Sequence, residues 1–331
     1  MSTPTLYTIE NADGPTRIPS NGIELGIFSA GPKDGLPVVF CHGFPELAYS
    51  WRAQITALAN AGFRVFAPDM RGYGHSDQPI DVAAYTLANL CGDMEGLLDH
   101  YEIDRAVFVG HDWGGNVVWQ MPLRYSDRVL GVAGLNMPFV PYHAARPAIE
   151  AFREKYGDEM YIVKFQEAKM AERILSADTE ATMSFFMRKS NYTAKQFESA
   201  PKHARSLDFL GAIEHGDKAA WQSKAFLSKE ELSVYSGTFA HNGFSGPVNW
   251  YRNFERNWRD DKGLPQLVEQ PCLMIMADND VVLPPSAADN MEHYVPNLSR
   301  HIVKDCGHWT MQEHPDEVNR VLIEWLNSTT F

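Results

Sequence analysis

Cysteine is scarce in this chain: Cys41, Cys91, Cys272 and Cys306 are the only four in 331 residues. Four thiols with no CxxC pair make neither a disulfide framework nor a cysteine-based zinc or redox site. Basic charge is also in short supply, with 29 Lys and Arg against 42 Asp and Glu for a net charge of −13. That balance excludes the basic face that a nucleic acid or an anionic membrane would need. No apolar run of 18 residues occurs, and Met1–Glu10 has neither a basic n-region nor an apolar core. Repeats, low-complexity tracts and flexible linkers are missing too. No His-x₃-His helix is visible, and Gly72-Tyr73-Gly74-His75-Ser76 lacks the spacing of a dinucleotide fingerprint. Neither a metal nor a cofactor is therefore expected, and no membrane insertion. What remains is a soluble globular chain with reduced thiols, expected in the cytoplasm, as a monomer or a homodimer.

Short apolar runs alternate with amphipathic ones at both ends of the chain. Leu36–Cys41, Phe63–Ala67 and Ala106–Val109 read as buried strands. Between them, Trp51, Ile55, Leu58 and Ala59 share one helical face closed by Gly62. Leu87, Leu90, Met94, Leu97 and Tyr101 mark a second helix. From Pro141 to Lys262 strand-like runs disappear and helical spacing dominates. The alternation resumes with strands at Cys272–Ala277 and Arg300–Lys304. A last helix starts at Pro315, with Val318, Val321, Leu322, Trp325 and Leu326 as its apolar stripe. The pattern predicts a mostly parallel sheet covered by helices and interrupted by a helical insertion: core over 1–140, cap over 141–262, core again over 263–331.

One motif carries chemistry. Gly110-His111-Asp112-Trp113-Gly114 follows an apolar strand and opens a helix, the setting of a nucleophile elbow. There the central side chain stands above the sheet beside a helix N-terminus. Taken alone the pentapeptide reads equally well as a helix-capping Asp in a glycine turn. His42-Gly43-Phe44-Pro45 follows an earlier strand, where backbone N–H groups of Phe44 and Trp113 can converge as an oxyanion hole. Asp280 and His308 each follow a later strand. Asp278 competes with Asp280, but Asp280 has two loop residues over which to turn back. Nucleophile, acid and histidine then stand in the chain order of an α/β-hydrolase triad.

The nucleophile is an aspartate, and that choice narrows the reaction. A serine attacking a saturated carbon forms an ether that water cannot cleave, whereas a carboxylate forms an ester that it can. Asp112 therefore implies an electrophilic saturated carbon, in an epoxide or an alkyl halide. An opening epoxide needs O–H donors, and a halide needs N–H donors. Tyrosines in the insertion, Tyr161 and Tyr251 among them, are candidates for the first, and the Trp113 indole for the second.

Seven strings make a resemblance specific: HGFPE (His42–Glu46), SWR (Ser50–Arg52), RGYGHS (Arg71–Ser76), GHDWGG (Gly110–Gly115), LNMPF (Leu135–Phe139), GPVNWYRN (Gly246–Asn253) and DCGHW (Asp305–Trp309). Over about two thirds of its length the chain resembles the soluble epoxide hydrolases of the α/β-hydrolase superfamily. The resemblance implies an α/β-hydrolase fold with a helical cap, and no cofactor. It implies a small-molecule epoxide as substrate, opened to a vicinal diol through a covalent aspartyl ester. Asp112 would be the nucleophile, with Asp280 and His308 activating water. Tyr161 and Tyr251 would donate to the epoxide oxygen. The family's usual Pro-Gly beyond Tyr161 is here Ala168-Lys169. His42, Pro45 and Trp309, inside the same motifs, are expected to line the substrate pocket. A dehalogenase using the same nucleophile is the alternative, and a non-catalytic ligand-binding relative is a third reading. Against the dehalogenase, Phe44 offers no side-chain donor, and Trp113 and Asn116 stand where arginines follow the nucleophile in fluoroacetate-type enzymes.

Overall fold

A computed structural model describes residues 6–142, 148–190, 192–201, 205–222 and 224–331. Eight strands form one sheet in the order β1-β2-β4-β3-β5-β6-β7-β8. The first two, β1 (Asp13–Ser20) and β2 (Ile23–Ala30), are an antiparallel hairpin turned at Asn21-Gly22. Both turn residues have positive φ, 43° and 79°, as a two-residue hairpin loop of this twist requires. Strand β2 pairs antiparallel with β4 (Arg64–Pro68). The other strands, β3 (Pro37–Cys41), β5 (Ala106–His111), β6 (Val129–Leu135), β7 (Cys272–Ala277) and β8 (Leu298–Val303), run parallel to β4 and to one another.

The order of strands decides where the helices go. From β3 the chain steps outward to β4 through α1 (Arg52–Asn60), then back past β3 to β5 through α2 (Leu87–His100). Right-handed crossovers in opposite directions place α1 and α2 on opposite faces. Helix α3 (Trp113–Arg124) packs against β5, β6 and α2, and α1 packs against β4, so that helices cover both faces of the sheet. The reversal of direction at β3 opens a crevice at the carboxyl ends of these strands.

The strands expected near residues 36, 63, 106, 272 and 300 are present, with bounds shifted by one or two residues. Three others escape the hydrophobic pattern. In β1 most residues are exposed or half-exposed. Strand β6 reads Val-Leu-Gly-Val-Ala-Gly-Leu, poor in large side chains, because neighbours fill the space. A Cβ on Gly131 would meet Phe331 at 2.7 Å, and one on Gly134 would meet the Trp119 indole at 2.7 Å.

Between β6 and β7 the described residues form helices alone: α4 (Ala148–Tyr156), α5 (Tyr161–Lys164), α6 (Met170–Ala177), α7 (Thr179–Phe186), α8 (Ala194–Ser199), α9 (Phe209–His215), α10 (Lys218–Gln222), α11 (Lys229–Asn242), α12 (Ser245–Tyr251) and α13 (Phe254–Asp260). A single isolated bridge, Arg188 to Ala225, is the extended exception among them. After β8 the chain closes with α14 (Thr310–Glu313) and α15 (Pro315–Ser328), the latter burying the stripe Val318, Val321, Leu322, Trp325 and Leu326. Among the described residues no helix is long and apolar enough to cross a membrane, and all four cysteines are free and buried.

Candidate active site

Asp112 caps the end of β5 at φ 50° and ψ −121°, a conformation that non-glycine residues rarely hold. The turn is possible because its neighbours have no side chains. A Cβ on Gly114 would stand 2.0 Å from the Cys41 carbonyl oxygen, and one on Gly43 would stand 2.5 Å from the Asp112 carboxylate. With Gly43 bare, the HGFP turn after β3 closes onto the elbow. The Phe44 N–H then donates to Asp112 Oδ1 at 2.8 Å, and the Trp113 N–H supports the same carboxylate. Oδ1 is thus held by the Phe44 amide, while Oδ2 faces His308. Burial raises the carboxyl above its ordinary value, against the pull of His308, His111 and these two amides.

His308 follows β8 with Nε2 3.7 Å from Asp112 Oδ2. On its other side Nδ1 bonds Asp280 Oδ2 at 2.7 Å. Asp280 is fully buried. It also accepts the amides of Val282 and Leu283 at 2.8 and 3.0 Å and Asn136 Nδ2 at 2.7 Å. Burial pushes this carboxyl up, but His308 and these donors outweigh it and hold it at about 2. Burial pulls the His308 imidazole down, yet Asp280 and Asp112 lift it to about 9. Asp278, the competitor, points elsewhere: it accepts the Cys306 N–H at 3.4 Å and lies 3.9 Å from Lys304 Nζ.

Tyr251 ends α12 and Tyr161 begins α5, and their rings meet edge-on with centroids 5.8 Å apart. Both line the cavity over Asp112. Burial and the nearby Asp112 charge push both phenols far above their ordinary value, so each keeps its proton. The elements bearing them are tied together. Arg252 donates to the carbonyls of Phe165 and Glu167 and pairs with Glu172 at 2.6 Å. Gln166 Nε2 bonds the Tyr251 carbonyl at 3.1 Å. Helix α12 in turn lies on the core, where Trp250 Nε1 donates to the Arg71 carbonyl at 3.0 Å and Asn253 Nδ2 to the Val82 carbonyl at 2.6 Å.

The cavity is about 130 Å³, walled by Phe44, Phe185, Phe186, Phe209, Val281, Val282 and Trp309 around Asp112, the two tyrosines and His308. Of the three expected pocket residues, Trp309 is there, and its indole Nε1 also donates to the Phe186 carbonyl at 2.7 Å. His42 and Pro45 are corrections. His42 is wholly buried. Its Nε2 accepts the Met70 N–H at 2.9 Å and its Nδ1 donates to the Gly43 carbonyl at 3.0 Å, so it braces the oxyanion turn from behind. Pro45 is buried and forms no part of the wall, because the Phe44 ring occupies the cavity side of that turn.

Several further contributors are not singled out by sequence reasoning, although Asn136, His111 and Glu46 lie inside the LNMPF, GHDWGG and HGFPE motifs. Phe185, Phe186 and Phe209 come from cap segments whose spacing suits any apolar core. Asn136 and Thr310, bonded at 2.7 Å, steady Asp280 from β6 and α14. His111 lies behind His308, with Nε2 2.8 Å from its carbonyl and Nδ1 on Glu46 Oε1. Among the described residues no cluster of His, Cys, Asp and Glu could hold a metal ion.

The family described as "alpha/beta hydrolase fold" matches residues 37–315. "Bifunctional epoxide hydrolase 2" of Sus scrofa is 41% identical over 308 residues, 93% of this chain. The chain spans about half the length of that protein, 54%. "Epoxide hydrolase A" of Mycobacterium tuberculosis is 41% identical over 312 residues, covering 93% of this chain and 96% of its own length. The crystal structure of Epoxide Hydrolase A from Mycobacterium thermoresistibile superposes with a TM-score of 0.85 at 37% identity, over 97% of this chain and 99% of that one.

Proposed function

The chain belongs to the α/β-hydrolase fold family, and from that membership and the site's geometry we propose that it is an epoxide hydrolase working through a covalent ester on Asp112. The observation that carries this reading is a carboxylate nucleophile facing two protonated phenols across one small apolar cavity. Asp112 Oδ2 attacks a ring carbon, and the carbon–oxygen bond breaks. Negative charge appears on the epoxide oxygen, where the O–H groups of Tyr161 and Tyr251 donate to it. A halide leaving group would find no use for two phenols.

Charge then moves with the reaction. In the resting site His308 holds a proton at neutral pH, because its value is about 9. Once Asp112 is esterified, one of the three carboxylates that raise His308 is gone, Asp280 and Glu46 remaining, and the imidazole gives up its proton more readily. That release balances the proton gained by the ring oxygen. Neutral His308, oriented by Asp280, next removes a proton from water, and the hydroxide attacks the ester carbonyl. Charge collects on Oδ1, which the Phe44 amide already holds and the Trp113 amide can reach as the second donor, a stabilisation worth about 10²–10³ in rate per donor. Collapse releases the diol, whose new hydroxyl takes the proton from His308, and leaves Asp112 as a carboxylic acid with one oxygen from water; that acid proton then passes to His308 and restores the resting pair.

Turnover of styrene oxide in H₂¹⁸O should therefore leave label in a peptide containing Asp112. Diol formation without such label would remove the covalent route. Halide release from haloalkanes outpacing diol formation would favour dehalogenation instead.

A further inference from the structure

The cavity that contains Asp112 also holds a cation with nothing to balance it. Arg188 stands in the wall, in the segment after α7. Its backbone is fixed there: the Arg188 N–H donates to the Phe186 carbonyl at 2.9 Å, and the next residue, Lys189, donates to the Lys224 carbonyl at 2.9 Å. The guanidinium carbon lies 4.6 Å from the centroid of the Phe185 ring. Nε is buried with no partner, and among the described residues no carboxylate pairs with the group. Burial alone lowers the guanidinium from its ordinary value, and no opposing charge restores it.

Four other part-buried or buried arginines are paired, whereas the Nε of Arg205, which does not line this cavity, shares the lack of a partner. Arg52 pairs with Glu231, Arg71 with Asp93, Arg124 with Asp261 and Arg252 with Glu172. A desolvated cation left unpaired is costly, and Arg188 bears that cost at the wall of the reaction cavity. Its planar fork matches a carboxylate through two parallel N–H···O bonds, and the flanking ring of Phe185 keeps water from competing. The walls between the fork and Asp112, which include Phe186, Phe209 and Val282, suit a hydrocarbon. Long-range attraction cannot bring an anion here, since the chain carries −13 overall. A local cation is what an acidic substrate would need.

We propose that Arg188 binds a carboxylate carried by the substrate, so that the preferred epoxides are acids held with the carboxylate on Arg188 and the ring against Asp112. This inference rests on the epoxide-hydrolase reading above. The experiment uses terminal epoxides with a carboxylate at the far end of alkyl chains of increasing length, each beside its primary amide. The quantity read is the ratio of kcat/KM for acid over amide. In the wild type that ratio should peak at one chain length. Arg188→Gln should lower it roughly ten- to a hundredfold at that length, and Arg188→Lys should restore only part of it, since an ammonium keeps the charge but loses the paired bonds. A ratio that stays within about twofold of the wild type in Arg188→Gln overturns the assignment, whatever happens to the separate rates. If neither acids nor amides are opened by the wild type, the epoxide-hydrolase reading itself fails, and this inference with it.

Discussion

Asp112 is held at positive φ by the elbow, and the same turn gives its two oxygens different tasks. Oδ1 faces amides and Oδ2 faces His308, which leads to predictions for single residues. His308→Gln should still be alkylated but should not hydrolyse the ester. Rapid mixing with an epoxide would then show one fast turnover, and mass spectrometry would show protein heavier by one substrate. Loss of alkylation as well would break the two-step assignment. Tyr251→Phe should slow ring opening by about 10²-fold while leaving ester hydrolysis nearly intact, as single-turnover traces would resolve. The alkylation rate should fall as pH drops through the raised value of Asp112, because only the carboxylate attacks. Asp112, Asp280 and His308 are legible in the sequence because each sits just past a strand end in a short motif. Arg188 is not, since a single arginine in a helical segment says nothing about which cavity it borders. His42 misleads for a related reason: its motif is recognisable, but its ring braces the turn from behind.

At the scale of elements, the positions of the phenols depend on how α12 sits on the core. Gly246 at the start of that helix touches Gly72 backbone to backbone, and a Cβ on Gly246 would meet Gly72 O at 2.6 Å and its Cα at 2.8 Å. Gly246→Ala should push α12 off its seat and cost about 1–3 kcal/mol, seen as a lower Tm, with a loss of kcat because Tyr251 rides on the same helix. Unchanged Tm and kcat would show that the seam yields. Strand β6 is hard to read for the same physical cause in reverse, whereas β1 lacks the signature because most of it is exposed. Where a neighbour supplies the bulk, as Trp119 does at Gly134, the strand's own letters lose their hydrophobic signature. The cap helices are legible as helices, while their mutual packing is not, because no local period encodes which apolar face meets which.

For the whole molecule, the His308–Asp280 pair links folding to pH. The imidazole keeps its proton to about 9 when folded, against an ordinary 6.5. Its contribution is therefore fully present below pH 6.5 and lost as pH rises through about 9, an effect of up to about 3 kcal/mol. Chemical unfolding from pH 6 to 10 should show that decline in the wild type. His308→Gln should lack it, and an identical slope in both would mean the pair contributes nothing.

The bonds from Trp250 to the Arg71 carbonyl and from Trp309 to the Phe186 carbonyl fasten the cap on two sides of the cavity. A cover fastened in that way cannot swing open as a rigid body without breaking buried bonds. If the chain opens epoxides as proposed, substrate and diol should pass through the mouth of the cavity with the cap in place rather than through its displacement. Selection by width would then be a matter of traffic, with a bulky epoxide limited by slow entry and not by affinity or chemistry.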